Sequence, residues 1–279
     1  MAKVIVLIHG RSNKPAPATL KDSWIEAINE GLRANTALTS LGDTQVEMAY
    51  YADLHYTSGP VDDANNTEPY KKAESGAIKR YKKGFLDRIR TLSGNWIEGV
   101  IDNVEEYSGV FSGLARSVAK NLLEDLGKYY SQPAFRNSVD KRLEDILKKH
   151  RNDEVILISH SMGTIVSYEV LRDLGKTGYQ LDHFITMGSP LGMAAVQGNM
   201  LNHLNQLRTP SCVTNSWANF SDPGDYVCID THLADDYSRN STHIGVKDHL
   251  VCNDYPNNEH KSYGYLRTPE FSEHLASLL

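Results

Sequence analysis

One junction constrains this chain more than any other feature. Residues 155–159 (VILIS) form an apolar, β-branched run that passes straight into Ser159-His160-Ser161-Met162-Gly163, after which Ile165, Tyr168, Leu171 and Leu174 recur at helical spacing as far as Gly175. An apolar run without polar alternation reads as a strand buried on both faces, the kind found in parallel sheets covered by helices. The pentapeptide leaves room only for a tight turn between that strand and the helix. A side chain at its apex is lifted over the sheet edge, at the end of a helix where developing negative charge is favoured.

The same grammar recurs along the chain. Residues 4–8 (VIVLI) make a second buried run that stops at His9-Gly10; Trp24, Ile25, Ile28 and Leu32 then mark a helix, and residues 45–51 a strand. Further on, residues 184–187 and 212–217 read as strands, with Val196, Met200, Leu204 and Leu207 as a helix between them. A last helix is punctuated by Thr268 as N-cap and Pro269 at its first position, with Phe271, Leu275 and Leu278 on one face. This alternation predicts an α/β fold, a mostly parallel central sheet with helices on both faces.

One long insertion interrupts the alternation before the helix carrying Val139, Leu143, Ile146 and Leu147. The expected organisation is a core made of residues 1–55 and 131–279, with residues 56–130 as a helical cap or lid. The insertion opens polar over residues 58–66 and turns helix-like from about Tyr70, with stripes at Ile97, Val100, Ile101 and Val104 and at Phe111, Leu114 and Val118. Such stripes read first as packing onto the core and second as transient contact with a membrane surface.

Composition narrows the function. Thirty-five acidic against 29 basic residues give a formal charge of -6, and no Lys/Arg cluster is interleaved with aromatics, which argues against nucleic acid as a partner. The run at residues 4–8 is too short for a membrane span or a signal-peptide core, so the expectation is a soluble, cytoplasmic chain with no transmembrane segment. Cys212, Cys228 and Cys252 are odd in number and lack CxxC spacing, which fits reduced thiols.

Taken with these motifs, the sequence resembles the α/β-hydrolase superfamily, in particular its lipase-like and esterase-like members, everywhere but in the insertion. The resemblance rests on residues 4–10 (VIVLIHG), on Ser159-His160-Ser161-Met162-Gly163, and on an acid and a histidine in that order further on. It implies Ser161 as nucleophile and an oxyanion hole built from the backbone amides near Gly10 or Arg11 and at Met162. For the acid it favours Asp225, which precedes Tyr226-Val227, over Asp222, which precedes Pro223 and suits the start of a turn. For the base it favours His260, on a polar loop ahead of the capped helix, with His243 and His249 as alternatives. Two departures stand out: Ser159 occupies a position where glycine is usual, and no antiparallel strand pair precedes residue 4, which predicts a reduced sheet.

The implied reaction is hydrolysis of a carboxylic ester, a lipid or other small-molecule acyl ester, through an acyl-enzyme and with no cofactor. Thioester or amide cleavage and acyl transfer use the same intermediate. Two rival readings stand against it. A non-catalytic ligand-binding member of the fold is one. The other is a metal site assembled from Asp230, His232, Asp235, His243, Asp248, His249 and Cys252, which lacks a closely spaced histidine pair. His9 reads equally as a core histidine satisfied by backbone and as a functional one.

Overall fold

The computed structural model describes residues 2–62, 66, 69–82, 122 and 124–279. Among them, six strands form one fully parallel sheet: β1 (Lys3–Ile8), β2 (Gln45–Ala49), β3 (Glu154–His160), β4 (Leu181–Met187), β5 (Val213–Ser221) and β6 (Val246–Leu250). Their order is β2-β1-β3-β4-β5-β6. The chain therefore winds outward from β1 in one direction, returns, and winds outward in the other. Ligands in open α/β sheets settle at that reversal, outside the carboxyl ends of the two strands that flank it. Here those strands are β1 and β3, with Ile8 in register with Ser159.

Period-two alternation along β1 sorts its side chains between two cores. Val4, Val6 and Ile8 join the cluster that contains Val139, Leu143, Leu147, Ile165 and Leu171, from helices α2 (Pro133–Lys149) and α3 (Met162–Gly175). Ile5 and Leu7 face the opposite cluster, with Trp24, Ile28 and Leu32 from α1 (Pro17–Asn35) and Phe271 and Leu275 from α4 (Pro269–Leu278). All five β1 side chains are at most 1% exposed, and burying a Val, Leu or Ile is worth about 1.5–3 kcal/mol, so this strand anchors both layers. At α4, Thr268 Oγ1 accepts from the Phe271 N–H, with Pro269 just inside.

Several readings need amending. The strand expected over residues 212–217 runs on to Ser221 because Asn219, polar but fully buried, is held by Asp248 Oδ1 at 2.9 Å on the neighbouring strand. That neighbour, β6, was not expected: it is an edge strand whose residues are only partly covered, so no apolar run marks it. The helix beginning at Ala194 stops at Leu201, before Leu204 and Leu207. Residues 69–82, read as the start of a helical insertion, contain one turn and no helix, and they lie along α1 and α4. Glu30 accepts from Tyr70 Oη at 2.8 Å and from the Ala73 N–H at 2.9 Å, and Glu270 from the Tyr81 N–H at 2.9 Å. Arg80 there pairs with Glu270 and Glu273 on α4. Leu122, Leu126 and Tyr129 are buried in the first core cluster. The stripes at Ile97, Val100, Ile101, Val104, Phe111, Leu114 and Val118 lie outside the described residues.

Candidate active site

Ser161 sits between β3 and α3 with φ 55° and ψ -132°. A non-glycine residue there costs about 1–3 kcal/mol and persists only where its surroundings impose it. They do so at close quarters. A Cβ on Gly163 would lie 2.5 Å from the His9 carbonyl oxygen and 3.0 Å from that of Ile8, so only glycine lets α3 approach β1 this closely. Ser159, where glycine is usual, is accommodated because its hydroxyl pairs with that of Ser167 at 2.7 Å, one turn into the helix. Met162 opens α3, where the first amides of a helix have no intrahelical acceptor.

Three loops at the carboxyl edge converge on Ser161. His260, from the loop after β6, places Nε2 2.8 Å from Ser161 Oγ and Nδ1 2.8 Å from Asp225 Oδ2. Asp225 follows β5 and its carboxylate is wholly buried, so it must be compensated by donors. The Val227 N–H reaches Oδ1 at 2.9 Å, and Tyr265 Oη and the Cys228 thiol reach Oδ2 at 2.7 and 3.5 Å. Burial and the Asp225 charge push the Cys228 thiol well up, so it acts as a neutral donor.

Asp222 is otherwise occupied. Its Oδ1 accepts from the Gly224 N–H at 2.7 Å and its Oδ2 from the Asn253 N–H at 2.5 Å, tying the turn to the loop after β6. Burial raises it to about 6. His249 stacks on Phe220 with ring centroids 4.9 Å apart, and His243 closes a turn through its N–H to the Asn240 carbonyl at 3.0 Å. Neither is drawn to Ser161.

On the other side of Ser161 lies the loop after β1. A Cβ on Gly10 would stand 2.6 Å from Ser161 Cβ and 3.1 Å from its Oγ, so the Gly10 backbone is in contact with the nucleophile candidate. His9 is satisfied by backbone: Nε2 accepts from the Tyr51 N–H at 3.1 Å, which leaves Nδ1–H to donate to the Gly10 carbonyl at 2.6 Å. Burial holds this imidazole near 3, so it is neutral. With the Gly10–Arg11 peptide trans, anchoring its carbonyl on the His9 ring turns the Arg11 N–H the opposite way. Arg11 itself pairs with Asp125 at 2.6 Å.

A cavity of about 310 Å³ opens above Ser161 and His260, with Leu20, Trp24, Leu122 and Val227 among its apolar walls. Two residues that sequence reasoning passed over complete the machinery. His160, the second residue of the pentapeptide, donates Nε2–H to the His260 carbonyl at 2.8 Å, and burial, helped by the nearby Lys14 and Lys261, keeps it neutral. Tyr265 donates to Asp225 while its oxygen accepts from the Asp222 N–H at 3.1 Å. No local signal announces Tyr265, since its partner is 40 residues away.

The residues of the paper metal site do not converge among the described residues. Only Asp230 and Asp235 come within ligand range of each other, together with Asp236. Asp248 is engaged by Asn219, the Leu233 N–H and the Ala234 N–H. All three cysteines are free thiols, two of them buried. No described helix is long and apolar enough to cross a membrane.

Residues 122–201, which span the elbow, match the lecithin:cholesterol acyltransferase family. Among solved structures, the chain is similar to the RedJ thioesterase of the prodiginine biosynthetic pathway in Streptomyces coelicolor. That likeness is 13% in identity with a TM-score of 0.39, covering 100% of this chain and 90% of that one. No curated protein matches the chain. With its parallel sheet, a serine turn at the reversal of strand order and a family match over residues 122–201 that include that turn, the chain is similar to the α/β-hydrolase superfamily.

Proposed function

We propose that this protein is a serine hydrolase that cleaves a carboxylic ester through an acyl-enzyme. The observation that carries the reading is the unbroken hydrogen-bonded chain from Ser161 Oγ through His260 to Asp225, both links 2.8 Å, at the floor of a cavity. Ser161 attacks the carbonyl carbon while His260 Nε2 takes its proton. Asp225 orients the imidazole and stabilises its charged form. The Met162 amide and one amide of the Gly10–Arg11 segment hold the oxyanion, each worth about 3–4 kcal/mol by the usual mutational yardstick. His260 then returns the proton to the leaving alkoxide. Water, deprotonated by His260, attacks the acyl-enzyme and frees Ser161.

Thioester substrates fit the same steps, because the acyl carbon, oxyanion and base are unchanged and only the leaving atom differs. The cavity volume is at the lower end of the range for ligand sites, which favours a short acyl or alcohol part within the described walls.

The test is hydrolysis of p-nitrophenyl esters of graded acyl length, with fluorophosphonate labelling, by wild type and Ser161→Ala. The expected result is turnover and labelling by wild type, with a loss of about 10⁴-fold or more in the variant. Equal rates would remove Ser161 as nucleophile. Asp225→Asn should lower kcat by up to about 10⁴-fold while leaving the fold intact.

A further inference from the structure

Two polar atoms on the residues lining the cavity have no part in the proton transfer. The first is the indole N–H of Trp24. Trp24 lines the cavity that holds Ser161 and His260, is 1% exposed, and its Nε1 has no hydrogen-bond partner among the described residues. A buried donor left unpaired costs free energy, which an acceptor oxygen of a ligand would recover. Its place is fixed by packing, since Trp24 belongs to α1 and lies in one core cluster with Ile5, Ile28 and Phe271.

The second is Nδ1 of His160, a residue that lines the same cavity. Its Nε2 faces the His260 carbonyl, which only accepts, so the proton of the neutral ring is there and Nδ1 keeps its lone pair. That is the one hydrogen bond of this ring among the described residues. A Cβ on Gly10 would stand 3.3 Å from His160 Nδ1 and 3.1 Å from Ser161 Oγ, so the bare nitrogen and the nucleophile candidate border the same position. The Trp24 and His160 rings meet edge to face with centroids 6.3 Å apart, which sets the donor-bearing and the acceptor-bearing ring side by side.

A donor beside an acceptor is complemented by a group that accepts and donates at once. A hydroxyl does both through a single oxygen; an ether oxygen or a carboxylate satisfies the donor alone, and an alkyl group neither. From this juxtaposition we infer that the substrate is an ester with a free hydroxyl close to the ester bond, in its acyl or its alcohol part. The hydroxyl oxygen accepts from Trp24 Nε1–H and its proton is donated to His160 Nδ1, while Ser161 addresses the ester carbon. Sites built to pair a substrate hydroxyl reject analogues that lack it, because their own buried groups are then stranded. The inference rests on the hydrolase reading for the chemistry, but the binding preference stands apart from it.

The experiment follows hydrolysis by pH-stat in two series of matched esters. The alcohol arm takes 2-hydroxyethyl, 2-methoxyethyl and propyl butyrate, and the acyl arm the ethyl esters of 3-hydroxybutyric, 3-methoxybutyric and 3-methylbutyric acid. In one arm kcat/KM should fall in the order hydroxyl, methoxy, alkyl, with at least about tenfold between first and last. Trp24→Phe should bring the methoxy and alkyl esters level in that arm, whereas loss of a tryptophan with only a structural role would slow all three alike and keep their ratios. Any other order in both arms, or unchanged ratios in Trp24→Phe, would overturn the inference and leave the hydrolase reading standing. If no ester is cleaved and fluorophosphonate does not label Ser161, the hydrolase reading fails, and binding to Ser161→Ala decides the hydroxyl preference. Tighter binding by calorimetry of one hydroxyl ester than of its alkyl counterpart, with a shift of the Trp24 indole N–H resonance assigned through Trp24→Phe, supports it. Equal binding in both arms, or an unmoved resonance, overturns it.

Discussion

His160 Nε2 lies 2.8 Å from the carbonyl oxygen of His260, so the residue just before Ser161 holds the main chain of the histidine that meets Ser161. The two ends of the proposed proton transfer are thereby fastened to each other through backbone as well as through side chains. His160→Phe keeps a ring of similar shape and removes the donor. It should cost about 1–3 kcal/mol in stability, the usual cost of a buried unpaired carbonyl, and lower kcat/KM about tenfold or more through drift of His260. Urea melts and esterase assays on the same preparations measure both.

Gly10 offers a steric prediction. Because a Cβ there would come within 2.6 Å of Ser161 Cβ, Gly10→Ala must displace either the β1 loop or the serine. Loss of activity of about 10²-fold is expected, since misplacement by ~1 Å at a reacting centre has that effect. Retained activity with unchanged fluorophosphonate labelling would show that the loop yields without cost.

Backbone strain at Ser161 gives a prediction of opposite sign for stability and activity. At φ 55° and ψ -132° glycine is at ease, so Ser161→Gly should raise the unfolding free energy by about 1 kcal/mol, the strain relieved less the extra chain entropy of glycine. Ser161→Ala keeps the strain and should leave stability nearly unchanged. Chemical denaturation of wild type and both variants separates strain from loss of the hydroxyl.

His9 predicts a pH effect. Free histidine takes up a proton near its ordinary value of 6.5, whereas burial delays this in the fold to about 3. Between those values the unfolded chain binds more protons than the native one, so this contribution is complete above pH 6.5 and is lost as pH falls towards 3. The stability advantage of wild type over His9→Asn should therefore shrink by up to about 1.4 kcal/mol per pH unit in that window and stay level above it. Urea denaturation of both proteins from neutral to acid pH is the measurement. A constant difference would mean that His9 is not held neutral.

How much of this could be read before the fold was in view depends on how local each signal is. Strands β1 and β3 are apolar from end to end because both faces are covered, and a run of that kind is visible in any window. Ser161 was legible because strand, tight turn and helix are contiguous, and His260 because a polar loop and a well-formed cap lie close by in sequence. Strand β6 was not, since an edge strand covered on one side carries Lys247 and Asp248 among its five residues and reads as loop. Tyr265 and the carbonyl contact of His160 depend on partners 40 and 100 residues away, and nothing in their own neighbourhood encodes those distances. The charged stretch at residues 69–82 carries helix-forming residues, yet Glu30 and Glu270 hold it in an extended path, a tertiary override of local preference.

The separation of Ser161 from His260 by 99 residues has a consequence in time as well as in space. During synthesis the serine elbow, with β1 and β3 beside it, leaves the ribosome well before the loop that carries the histidine. Until β5 and β6 have paired, Ser161 is an ordinary hydroxyl with no base near it. On the proposed mechanism a nascent or half-folded chain therefore carries no activated serine that could take up acyl groups, and the appearance of covalent labelling at Ser161 would date the moment at which the far edge of the sheet closes.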